Sequence, residues 1–148
     1  MHDEPCALCA CLAGPGALFE DDLWQVRPIE APAGVAGWML LIARRHVAGP
    51  SSFSDAEAAA FGPALRHFER VLERVTGAER IYTAALGEAV HHFHAHMVPR
   101  MPGATAKGWA LFDTQRAAKA GALVVDEAEV ARTIEAYRAA LAADPWAP

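Results

Sequence analysis

Residues 92–97 read His-Phe-His-Ala-His-Met, three imidazoles at every second position with apolar residues between them. This alternation constrains the fold more than any other feature of the chain. In a β-strand, successive side chains point to opposite faces, so positions i, i+2 and i+4 line one side. His92, His94 and His96 are then expected to face one cleft, while Phe93, Ala95 and Met97 bury the other face. A single histidine is most often just a hydrogen-bonded residue. Three on one face are harder to explain as packing, because each needs a polar partner there. Imidazole near neutral pH serves as nucleophile, acid–base group or metal ligand. The strand is an active site, part of a metal site, or both.

A second cluster lies at the start of the chain, where Cys6, Cys9 and Cys11 fall within six residues. An odd, crowded set does not resemble the disulfide framework of a secreted protein. Cys6-x-x-Cys9 is half of a zinc-site pattern or a redox pair. A redox pair usually sits at a helix start, whereas Pro5 precedes this one and Gly14-Pro15-Gly16 follows it. A zinc site would need two more ligands from elsewhere.

The 148 residues suffice for one domain with a substantial core, read here as a single unit over 1–148. A formal net charge of −5 argues against a general nucleic-acid binder, although Arg44, Arg45 and Arg100 leave room for a local basic patch near the histidines. The acidic start, Met1-His2-Asp3-Glu4-Pro5, lacks the regions of a signal peptide, and the longest apolar run, Trp38 to Ala43, is too short for a bilayer. A cytoplasmic protein without a membrane partner is the expectation.

The local patterns arrange themselves as strands, helix, strands, helix. Residues 17–20 and 23–26 read as short strands around Asp21-Asp22, and residues 31–34 as a loop. Trp38 to Ala43 is apolar enough for a central strand, and it delivers Arg44-Arg45-His46 at its end. Ser54 and Glu57 form a capping box with Phe53 placed to staple Ala58, opening a helix that closes at Gly77 and should kink at Pro63. His67 falls off its apolar stripe and reads as a surface residue. Residues 81–86 form a further strand before the histidine strand, and Met101 to Ala122 reads as loop. A last helix starts at Asp126, with Glu129 completing another capping box. The expected class is α+β with a mainly antiparallel sheet.

Residues 92–98 resemble the His-φ-His-φ-His-φ-φ signature of the histidine triad superfamily, φ being apolar, and Pro99-Arg100 is typical of its flank. The resemblance runs from residue 6 to about residue 100 and leaves 101–148 as a divergent extension. It takes in the Cys6-x-x-Cys9 knuckle, Phe19-Glu20-Asp21-Asp22, the strand ending in Arg44-Arg45-His46, and the helix from Ser54 to Gly77. It implies a five-stranded antiparallel sheet carrying two main helices, usually in a homodimer, and a nucleotide small-molecule substrate. It further implies attack on the α-phosphorus of a dinucleoside polyphosphate or nucleoside phosphoramidate. In that scheme His94 is the nucleophile, forming a nucleotidyl-histidine that water resolves, and His96 steadies the phosphate oxygens. Zinc-containing members imply a structural ion on Cys6, Cys9, His46 and His92, a closed Cys2His2 set that supplies the two missing ligands. Cys11 is left to packing.

The chain also departs from the pattern. Gly87-Glu88-Ala89-Val90 stands where many members carry Gly-Gln-Thr-Val, so a carboxylate replaces an amide beside the phosphate bridge. Glu88 would repel a phosphate unless protonated or paired, or else act as an acid toward the leaving group. Glu30 is the nearest match to the ribose-contacting aspartate. Two other readings stay open: a nucleotide-binding regulatory protein with little turnover, and a metal-dependent hydrolase using all three histidines as ligands.

Overall fold

The computed structural model describes residues 5–148; the acidic start at residues 1–4 lies outside them. Local chemistry sets the first hairpin. The Asp21 carboxylate accepts the backbone N–H of Leu23 and Trp24 at 2.8 and 2.7 Å, folding the chain back between β1 (Phe19–Glu20) and β2 (Trp24–Pro28). The apolar run becomes β3 (Met39–Ala43), all five residues buried. With β4 (Arg80–Ala84) and β5 (His94–Arg100) it forms one sheet, ordered β1-β2-β3-β5-β4 and antiparallel throughout.

Register then assigns the two faces. Met39 pairs with Met97 and Leu41 with Ala95, and all four lie in the main core with Trp24, Val26 and Phe93. The alternate pairs, Ile42 with His94 and Leu40 with His96, therefore point to the opposite face. The alternation expected of the histidine segment holds for His94 and His96. His92 differs: the strand begins at His94, and His92 lies on the bend before it, fully buried.

Of the four α-helices among the described residues, two are long. α1 (Ala7–Ala13) comes first, and α2 (Asp55–Thr76) follows β3. Both halves of the Ser54–Glu57 capping box are formed, and Gly77 ends α2 at φ 69°, a left-handed conformation glycine adopts without strain. Phe53 packs on Phe61, Trp24 and Phe93, with ring centroids 5.0–5.7 Å apart, which pins the start of α2 under the histidine bend. Each such pair adds roughly 0.5–1.5 kcal/mol beyond its buried area. The helix runs unbroken through Pro63, which is exposed. α4 (Glu127–Ala143) packs on α2, burying Tyr137 and Leu141, and the Tyr137 hydroxyl donates to the Phe68 carbonyl at 3.0 Å. At its start only the Asp126 half of the capping box is made.

Two further expectations need correction. Residues 101–122 are not a loop: they contain α3 (Trp109–Lys119). It packs on the histidine face through Leu111, against Trp38 and Val98. His67 is partly exposed, its Nε2 2.9 Å from the Asp144 carbonyl at the end of α4. The Cys6–Cys9 segment does open a helix, α1, with Cys6 at its N-cap and no side-chain cap. No helix among the described residues is long and apolar enough to cross a membrane.

Candidate active site and metal centre

The histidine face of the sheet is framed by α1 on the β2 side and α3 near β4 and β5. His94 lines a hollow of about 160 Å³ together with Gly49, Pro50, Leu86, Gly87 and Phe93. A larger cleft, about 610 Å³, opens toward β2 and is lined by Leu8, Arg27, Ile29, Glu30, Leu40 and Val90.

The bend at residue 92 serves two groups at once. The His92 ring points toward the cysteines: its Nδ1 lies 3.5 Å from Cys6 Sγ and 3.4 Å from Cys9 Sγ. Cys9 Sγ lies 3.3 Å from His46 Nδ1, and all four ligand atoms fall within 4.8 Å of one another. A tetrahedral zinc with ordinary bond lengths separates a sulfur and a nitrogen ligand by about 3.6 Å, so the set has the right span for one ion. The His92 Nε2 sits 2.7 Å from the Ala43 carbonyl, which can only accept. Nε2 therefore carries the proton and Nδ1 offers its lone pair, the arrangement seen when a second partner orients a metal-ligating imidazole. Burial pushes the His92 pKa down, the Ala43 hydrogen bond opposing, which favours the neutral ring a metal needs. Burial, and then Cys6 alongside, pushes the Cys9 thiol up. The donor set fits zinc.

The carbonyl of the same residue, His92, lies 2.8 Å from His94 Nδ1. That nitrogen must be the donor, which leaves the His94 Nε2 lone pair free. His96 is half-buried further along the strand, its ring 5.1 Å from that of His94. Its Nδ1 lies 3.0 Å from the indole Nε1 of Trp38. Burial, and then the proximity of His94, pushes its pKa down to about 4. The three rings thus turn to three different partners. Among the described residues the metal-capable cluster takes His92 alone of the three, which runs against a metal-dependent site built on the whole triad.

The remaining candidates are placed less as expected. Arg44 pairs with Glu20, Arg45 with buried Glu57 at 2.6 Å, and Arg100 with Glu79 at 2.8 Å, so each of the three arginines has a carboxylate partner. The Arg45 bond, more than burial, sets the direction for Glu57, whose pKa is held low. Cys11 does more than pack: its Sγ and carbonyl both accept from Arg27, an arginine only 5% exposed beneath the larger cleft, which also donates to the Pro15 carbonyl at 2.7 Å. Glu30 lines that cleft but is held by α3. Lys119 Nζ lies 2.9 Å from its carboxylate, and this hydrogen bond, then the lysine's charge, keeps the Glu30 pKa low. Gln115 fastens the same loop, accepting from Gly34 N–H at 2.7 Å and donating to the Glu30 carbonyl at 3.0 Å. Glu88 is exposed on the segment beside Gly87 and makes no hydrogen bond or ion pair among the described residues.

No family model matches the chain, and no curated protein matches it by sequence. Solved structures do match. A zinc-bound histidine triad family protein from Mycobacterium smegmatis superposes with a TM-score of 0.69 at 20% identity, covering 93% of this chain and 94% of that one. A hypothetical histidine triad nucleotide-binding protein from Sulfolobus tokodaii gives 0.68 at 12% identity, covering 93% of each. A Hit-like protein from Bartonella henselae, described as involved in cell-cycle regulation, gives 0.66 at 17% identity, covering 95% of this chain and all of that one.

Proposed function

We propose that this chain, whose fold is that of histidine triad proteins, is a nucleotide hydrolase or nucleotidyltransferase working through a covalent intermediate on His94. The observation that carries the reading is the His94 hydrogen bond to the His92 carbonyl, which leaves the Nε2 lone pair free on a residue that lines an open hollow. In the first step Nε2 attacks the α-phosphorus of a nucleotide conjugate. The N–P bond forms as the bond from phosphorus to the leaving group breaks, and the leaving group departs with its electron pair and takes a proton from solvent. The His92 carbonyl accepts from Nδ1–H of the cationic ring that results. Water then attacks phosphorus, the N–P bond breaks, a proton is lost to solvent, and His94 returns neutral. His96 donates from Nε2 to the phosphoryl oxygens. The larger cleft, with Glu30 at its rim, takes the nucleoside.

Cys6, Cys9, His46 and His92 would hold zinc, as four protein ligands suit a structural ion. The zinc-bound neighbour and the ligand spacing support that assignment. When bound, the ion fastens α1 to the bend at residue 92 and supplies no step of the reaction. A cytoplasmic location accords with this chemistry.

The test of the reaction is a screen of nucleoside phosphoramidates, dinucleoside polyphosphates and nucleotide sugars for release of a nucleoside monophosphate. Failure of every class, together with tight nucleotide binding, would instead establish a regulatory binder.

Two further outcomes follow from the same reading. As a substrate-binding neighbour, Glu88 sets a negative charge near the incoming phosphates while lying open to solvent. Glu88→Gln is therefore expected to lower KM by about two- to fivefold at low ionic strength, the gain shrinking in salt. The change should be alike for good and poor leaving groups. A kcat loss confined to basic leaving groups would make Glu88 a general acid instead. The second concerns assembly. β4 is an edge strand, and Leu86 beyond it is 58% exposed. An open edge of this kind is expected to pair with a second copy about a two-fold axis. Light scattering at micromolar concentration should give about twice 15.8 kDa. A monomer at high concentration would remove the dimer and leave the chemistry standing.

A further inference from the structure

His94 and His96 share a face and nearly touch, yet their partners set them in opposite tautomers. The His92 carbonyl can only accept, so His94 carries its proton on Nδ1. The indole N–H of Trp38 can only donate, so His96 Nδ1 holds a lone pair and its proton sits on Nε2. We propose that Trp38 is a positioning residue that fixes His96 as the Nε2–H tautomer, so that His96 donates to the phosphoryl group that His94 attacks. The inference rests on the nucleotidyl-transfer reading above and adds a residue to it.

The packing makes the setting rigid. Trp38 is only 3% exposed, immediately before β3. Its ring stands edge-on to His96, 5.8 Å between centroids and 78° between planes, and edge-on to Phe112 of α3 at 5.7 Å. Phe112 meets His96 from another side at 6.4 Å. Turning the imidazole over would break the indole bond inside this aromatic enclosure. Only the neutral ring can accept from Trp38, and burial keeps it neutral at neutral pH. A neutral imidazole has one N–H. In the other tautomer it would aim a lone pair at the phosphoryl oxygens, where repulsion replaces a hydrogen bond. Trp38 touches no reacting atom itself; it acts through His96.

The test uses the full chain labelled with 15N at histidine and tryptophan. At pH 7 the wild type is expected to show His96 protonated at Nε2 and bare at Nδ1, with a scalar coupling across the Trp38 Nε1–H···Nδ1 bond. In Trp38→Phe the ring volume is largely kept but the donor is lost. His96 should then populate both tautomers, and kcat should fall roughly tenfold with KM nearly unchanged, less than the loss on deleting an oxyanion donor outright. A wild-type His96 protonated at Nδ1, or a Trp38→Phe protein that keeps both the tautomer and kcat, would overturn the inference. The wild-type spectrum decides the wiring even if the variant folds poorly. Failure of the reaction itself looks different: no conjugate releases a nucleotide, while the spectrum still shows the locked tautomer.

Discussion

His94→Asn is expected to lose at least 100-fold in kcat on the best substrate while keeping its fold and its metal content. The size follows from the role. A group that forms a covalent bond to the transferring phosphorus has no substitute in solvent, and 100-fold is only about 2.7 kcal/mol of barrier. The fold should survive because His94 lies on the open face, away from the aromatic cluster of Trp24, Phe53, Phe61 and Phe93. Asparagine can still reach the His92 carbonyl through its amide, so the bend keeps its partner. A rapid quench with a substrate labelled at the α-phosphate should trap labelled wild-type protein and unlabelled His94→Asn. Near-normal turnover by the variant would reject the covalent scheme altogether.

The second large effect concerns the metal. Protein prepared without chelators is expected to carry one zinc per chain, and Cys9→Ser to lose most of it together with thermal stability. Zinc binding in small structural sites is worth about 10–16 kcal/mol, so an even share per ligand is about 3 kcal/mol. For a chain of this size that lowers Tm by roughly 6–12 °C. Metal analysis beside a melting curve reads both quantities from one sample. Metal-free wild-type protein with an unchanged Tm would count against the site, and a disulfide among Cys6, Cys9 and Cys11 would become the leading account of the cluster.

What could be read in the sequence was local in chain distance or repeated with a simple period. The histidine alternation placed His94 and His96 on one face, and Ser54 with Glu57 marked the start of α2 to the residue. The bonds that complete the site join residues far apart along the chain. Trp38 and His96 are 58 positions apart, Gly34 and Gln115 81, and Glu30 and Lys119 89. No periodicity reports such pairs. α3 leaves no sequence signal for a different reason. It begins at Gly108 without a side-chain cap and buries only Leu111 and Ala118, so it shows neither a start signal nor an apolar stripe. α1 is short and buries nothing fully, and it was hidden behind the cysteines it carries. The Cys6, Cys9, His46 and His92 cluster is legible only through the family resemblance, since nothing in the spacing of Cys9 and His46 brings them together.

One feature links the two clusters: His92 turns its ring to the cysteines and its carbonyl to the ring of His94. Ring and carbonyl belong to the same short bend, so the two clusters are mechanically one unit. A lineage that discards Cys6 and Cys9 would lose an anchor for the bend that, in the proposed reaction, aims its nucleophile. Such a lineage must rebuild that anchor with other side chains before the loss becomes neutral. Substitutions at 6, 9, 46 and 92 are therefore expected to occur together rather than singly, and replacements at 92 should arrive with a compensating change that still holds the carbonyl toward residue 94.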